Sequence, residues 1–161
     1  MSEKATLESS EENKRLQWRL SVAQKRFTKL LKILETEVDE NTRMRIIQRL
    51  GCECSKSIPF IQEYEGDLQG YWAEIEKRWG EKAEFDPVQG IITIATPERD
   101  CVCPLVDSQH TPPSFCDCSL GWQQQTYETL LGKPIMVEIK ESVLRGAKRC
   151  VFEIRLEPSH S

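Results

Sequence analysis

Apolar residues recur at steps of three or four from Leu16 onward: Leu16, Leu20, Ala23, Phe27, Leu30, Leu34 and Val38. That spacing predicts a long amphipathic helix, with Arg19, Lys25, Lys29 and Lys32 on its other face. Such a stripe is expected to pack into the core, and its length leaves room for a homodimer through this N-terminal helix. Residues 1–12 are polar and lack a sustained period, which predicts a mobile lead-in. Asp39 or Asn41 can cap a second helix through Met44, Ile47 and Leu50, with Gly51 as its stop. If the helix instead continues, Cys52 and Cys54 stand about 200° apart and cannot act as a ligand pair; one of them is then a small buried hydrophobe. Ser57-Ile-Pro59 breaks the pattern, and Asp67 starts a third helix with Trp72, Ile75 and Trp79 on one side, before Gly80.

The period then changes. Ala83-Glu-Phe85, a Pro87-Val-Gln-Gly90 turn and the run Ile91–Thr96 predict a β-hairpin. Ser119 is the expected cap of a helix carrying Trp122, Tyr127, Leu130 and Leu131, which Gly132-Lys-Pro134 stops. Ile135, Val137 and Ile139 alternate in one strand; Cys150, Phe152, Ile154 and Leu156 alternate in the next, across a turn at Leu144-Arg-Gly146. The fold class expected is α+β: a helical N-terminal half packed on an antiparallel sheet built from two hairpins with an intervening helix. It forms a single domain over residues 13–157, helical over 13–80 and Cys-rich and sheet-forming over 81–157.

Composition narrows the function. The 161 residues suit one core. With 22 Lys+Arg against 26 Asp+Glu, the chain has no dense basic stripe and is not expected to bind nucleic acid. No apolar run approaches a membrane span and the amino terminus is charged, so no membrane partner and a cytoplasmic location are expected. Seven cysteines, an odd number, agree with reduced thiols.

Four of those seven form two Cys-x-Cys pairs, Cys101-Val-Cys103 and Cys116-Asp-Cys118, within the Pro-containing segment from Pro97 to Ser119. In extended chain, residues i and i+2 point the same way, so each pair can present two thiolates together. A loop this long is usually functional or tied down, for instance by a metal. Zinc, which takes thiolate, imidazole and carboxylate, is the first candidate. An iron–sulfur cluster fits less well, because the spacings match neither common ferredoxin pattern. His110 lies between the pairs as a further donor, while His160 is near the carboxyl end. Cys118, at the expected helix start, would have its thiolate favoured by the helix dipole, which makes it the best choice for ligand or nucleophile. The alternative is that these are simply reduced, partly buried thiols.

Phe115 to Leu156 resembles the carboxyl-terminal half of the 4-vinyl reductase (hydrocarbon-binding) domain superfamily. The resemblance rests on Cys118 with Gly121, on Leu130-Leu-Gly132-Lys-Pro134, on Glu141 and Gly146, and on Cys150-Val-Phe152. It is also similar to an uncharacterised Cys-rich bacterial and archaeal group, some of which are described as similar to 2-aminothiazoline-4-carboxylate hydrolases. The resemblance implies a zinc site at Cys118, Glu141 and Cys150. Leu144 stands where a turn cysteine would complete the set, leaving Cys116, Cys103 or Cys101 to do so, or no metal at all. It further implies a cavity for a small apolar or aromatic ligand. Candidate lining residues are Trp72, Trp79, Phe115, Trp122, Tyr127 and Phe152, each equally an ordinary core residue. The rival function is a metal- or thiolate-assisted hydrolase of a small cyclic substrate, with Cys118 or a zinc-bound water attacking and Glu141 as base.

Overall fold

Helix α1 runs over Ser2–Glu37, so the segment expected as a lead-in is helical from Ser2 onward. The computed structural model describes residues 2–156, with side chains from residue 11; His160 falls outside them. The face of α1 that meets the body is centred on the line Gln24, Thr28, Leu31 and Glu35 rather than on the Leu16–Val38 stripe, of which Phe27 reaches Phe115 at the margin. Gln24 Nε2 donates to the carbonyls of Pro104 (3.0 Å) and Val106 (3.1 Å), and Thr28 Oγ1 lies 3.4 Å from Thr111 Oγ1. Leu31 is buried, and Ser114 Oγ donates to Glu35 Oε1 at 2.8 Å. Of the stripe, only Phe27, Leu34 and Val38 are half-buried.

Asp39 caps α2 (Glu40–Lys56) by accepting from the Thr42 amide. Gly51 does not end this helix; it is buried within it, and both Cys52 and Cys54 are helical. The break at Ser57–Pro59 opens a one-turn helix, α3 (Pro59–Glu63), with proline in the first turn where its missing N–H costs nothing. Asp67 caps α4 (Leu68–Trp79), its side chain accepting from the Gly70 amide. α5 spans Asp117–Leu131 behind a 3-10 turn at Pro113–Cys116. Ser119 therefore sits inside the helix rather than capping it, because the 3-10 turn feeds the chain into α5 two residues earlier.

The strands are β1 (Lys82–Asp86), β2 (Ile91–Ala95), β3 (Ile135–Glu141) and β4 (Val151–Leu156), antiparallel throughout in the order β1-β2-β4-β3. Both expected hairpins form, and they join through β2 and β4, where Ile92 faces Ile154 and Ile94 faces Phe152. Cys150 lies just before β4 rather than in it. Ile92, Ile94, Phe152 and Ile154 face Tyr71, Ile75, Tyr127 and Leu130 of α4 and α5 in the main core. A second, smaller core gathers Leu31, Ile47, Val106 and Phe115 beneath the Cys-rich loop.

Helices α2 and α5 meet backbone to backbone. A Cβ on Gly51 would collide with the Cys118 carbonyl, and one on Gly121 with the Gln48 carbonyl. The approach is sealed by Cys52 Sγ, which donates to the Gly121 carbonyl at 3.3 Å, and by Ser55 Oγ and Thr126 Oγ1, both buried and 2.8 Å apart.

Candidate functional site

The thiols sit where α2, α5 and the loop before α5 come together. Cys101, Cys103 and Cys118 all pack against the second core, as does Leu144. Cys118 occupies the first turn of α5, yet its thiol is not lowered: burial pushes it up to about 12, and the neighbouring thiols Cys54, Cys103, Cys52 and Cys101 add to the rise. Desolvation of the charged form thus outweighs the helix dipole expected to favour thiolate. Cys103 is raised in the same way, by burial first and then by Cys101 and Cys54. Cys116 is buried, with its Sγ 2.6 Å from Ser142 Oγ; its thiol and that of Cys150 are also raised by burial. Cys101 adds to both rises, as it does to those of Cys103 and Cys118.

The family-type set is not brought together. Glu141 is exposed at the end of β3, where Arg149 Nε donates to it at 3.4 Å. Among the described residues, no three His, Cys, Asp or Glu side chains are placed to hold a metal ion. His110 is exposed and bonds Asp107 Oδ2 through Nδ1 at 2.9 Å, which holds the Asp107 carboxyl below its usual range. Cys54 is the thiol that spacing set aside. The available signal was its position one turn after Gly51, the residue that lets α5 approach.

A thiol kept protonated in the fold ionises more readily in the unfolded chain. Stability is therefore intact below the unfolded thiol value near 9 and falls as pH rises toward the folded value of about 12. In reduced, chelator-treated protein the urea midpoint should drop between about pH 7 and about pH 10, and drop less in Cys118→Ser. An equal drop in both proteins would mean that Cys118 is not the group responsible.

Of the aromatic residues expected to line a cavity, Tyr127 and Phe152 are buried in the main core, and Trp72, Trp79 and Trp122 pack against it. Phe115 is not with them; it belongs to the second core, edge-on to Phe27 at 5.0 Å. Tyr71 stands edge-on to Tyr127, ring centroids 6.1 Å apart, and burial raises both phenols. Trp72 Nε1 donates to Tyr127 Oη at 3.1 Å. Trp72 also lines an open groove of about 390 Å³ between α4 and β1, together with Gln69, Glu76, Lys82 and Glu84. Nearby, burial raises the Glu81 carboxyl, opposed by Arg99, whose Nη2 lies 3.5 Å away and whose Nη1 donates to the Trp79 carbonyl. Nothing in the sequence marks this pair, because neither residue belongs to a periodic pattern.

No helix among the described residues is long and apolar enough to cross a membrane. No family model matches the chain, and no curated protein does. Among the solved structures similar to it are the following two. One is the phenol-responsive sensory domain of the transcription activator PoxR with phenol, at 16% identity and a TM-score of 0.45, over 79% of this chain and 71% of that one. The other is a trafficking protein particle complex subunit 3 from Naegleria fowleri, covalently bound to palmitic acid. It matches at 15% identity and a TM-score of 0.54, over 88% of this chain and 97% of that one. What the chain shares with that subunit is its α+β fold.

Proposed function

We propose that this protein binds a small, mostly apolar or aromatic molecule carrying one polar group, at the aromatic cluster between α4, α5 and the sheet. The observation that carries the reading is Trp72, which lines the open groove and also hydrogen-bonds the buried Tyr127 hydroxyl. The reading requires that this one half-buried side chain turn, so that the groove would open toward the apolar interior behind it. That turn would also free an indole N–H and a phenol to hold a ligand hydroxyl. The groove itself carries Gln69, Glu76, Lys82 and Glu84 beside Trp72, so the apolar walls such ligands need are those of the core behind Trp72. The resemblance of Phe115 to Leu156 to the 4-vinyl reductase superfamily supports the same class of ligand.

Zinc enters this reading only if the thiols around Cys118, namely Cys54, Cys101 and Cys103, turn from the positions described, in which no three hold a metal ion; thiolate chemistry suits zinc. Glu141 is left out of that set. Protein purified without added metal should carry near-stoichiometric zinc by elemental analysis. Cys118→Ser should lose it with a fall in melting temperature, and Glu141→Gln should keep it. Metal-free protein whose melting is unchanged by a strong chelator would remove the metal from the reading.

Ligand binding is tested separately, with phenol, a fatty acid and a panel of substituted aromatics in a thermal-shift assay followed by mass spectrometry. Compounds that bind should raise the melting temperature by mass action and be recovered unchanged. Absence of any shift across the panel would refute the binding reading. In its thiolate form the hydrolase alternative requires a reactive Cys118, which burial opposes; in its metal form it requires a zinc-bound water with Glu141 as base. Turnover abolished by Cys118→Ser would establish it instead.

A further inference from the structure

β1 is an edge of the sheet, and its register shows which backbone groups it leaves open. The Leu156 amide donates to the Gly90 carbonyl and the Thr96 amide to that of Cys150, so the even-numbered residues of β2 bond toward β4. Ile91, Thr93 and Ala95 then bond toward β1, where their partners are Asp86, Glu84 and Lys82. Ala83 and Phe85 are left with N–H and C=O turned outward, away from the sheet. Phe85, opposite Ile92 on the inner face, is 45% exposed for want of a neighbour on that side. α4 runs beside this edge, and its Gln69, Trp72, Ala73 and Glu76 line the groove between the two.

We infer that a second copy of the chain docks here, pairing β1 with β1 antiparallel about Ala83 and setting α4 against α4 across a two-fold axis through the groove. Charge and size select that partner. Lys82 and Glu84 are exposed and make no ion pair among the described residues. With Ala83 opposite its own counterpart, Lys82 of each copy faces Glu84 of the other. Pairing about Glu84 would set that carboxylate against itself, and pairing about Phe85 would set Glu84 against Asp86, so like charges disfavour both. An edge guarded against pairing repels its own copy, whereas this one complements it. The α4 row is self-complementary too, being symmetric in spacing about its midpoint. Antiparallel to its copy, it sets Trp72 against Ala73, large against small, and the Gln69 amide against the Glu76 carboxylate. Both centres, Trp72–Ala73 and Ala83, line the one groove, so a single axis serves helix and strand.

Sedimentation equilibrium of the full chain at micromolar concentration should give twice the 18.6 kDa chain mass. Lys82→Glu should give a monomer with unchanged circular dichroism, since the side chain is exposed, and Glu84→Lys should do the same. The variant carrying both exchanges restores opposite charges and should regain the dimer. Ala73→Arg, which fills the space opposite Trp72, should lose it. A monomeric parent chain would overturn the inference, as would a dimer that persists in both single-charge variants. A doubly exchanged chain that stays monomeric would overturn the register. Trp72 is shared with the ligand reading, and one corollary rests on that reading: a compound that turns Trp72 should shift the dimer toward monomer. A bound compound that leaves the dimer intact would overturn the corollary and not the interface.

Discussion

Gly121→Ala should lower the unfolding free energy by about 3 kcal/mol or more, although alanine is the better helix former by about 1 kcal/mol. The added methyl meets a carbonyl oxygen of the α2 backbone, which cannot rotate aside as a side chain would. The helices must separate, and separation stretches the buried Ser55–Thr126 hydrogen bond and opens the second core where Ile47 packs. Against a total stability of about 5–15 kcal/mol, the loss is a large share. Gly51→Ala should cost a similar amount, since its methyl meets the Cys118 carbonyl. One displacement relieves both collisions, so the double variant should cost clearly less than the sum of the two. Urea titrations of the four proteins give the comparison. A Gly121→Ala protein as stable as the parent would mean that the two backbones do not touch.

Tyr127→Ala should cost about 3–5 kcal/mol, because it removes a fully buried ring from the centre of the main core and leaves a cavity. Tyr127→Phe keeps the ring and deletes only the acceptor of the Trp72 indole N–H, for about 1 kcal/mol, since Trp72 is half-buried and can turn toward water. The two variants separate packing from recognition. In Tyr127→Phe, the melting shift given by phenol should shrink while that given by a ring without a hydroxyl persists. Equal loss for both ligands would place the binding site elsewhere.

The fold was largely legible because its elements follow periodic patterns. Asp39 and Asp67 cap where their side chains can reach the amide three residues on, and both hairpins lie where alternation and turn residues put them. The misreadings have physical causes. Gly51 looked like a helix stop because glycine is a poor helix former, yet here it is selected by the approach of α5, a partner 70 residues away that no local window contains. Ser119 looked like a cap because the preceding 3-10 turn carries no hydrophobic period. The stripe on α1 was read as core because periodicity reports an apolar face without saying what covers it.

The site was legible in part. Proximity of Cys101, Cys103 and Cys118 was implied by spacing, but the approach of Cys54 depends on the helix crossing. The raised Cys118 thiol depends on burial, which local sequence does not specify. The aromatic residues identified individually do converge, Phe115 excepted, while the Trp72–Tyr127 bond that links groove to core is a tertiary event across 55 residues.

The strand order β1-β2-β4-β3 has a consequence for synthesis. β4 is made after every other described element, yet it belongs in the middle of the sheet. As the chain emerges, the β1–β2 hairpin must wait with an unsatisfied edge, and β3 has no neighbour, until the final strand arrives to join them. A nascent chain stalled before Val151 therefore lacks its centre rather than a margin, and exposes two open strand edges at once. Such edges template pairing between chains. Premature termination in this gene should thus give aggregates and proteolysis rather than a trimmed, functional protein.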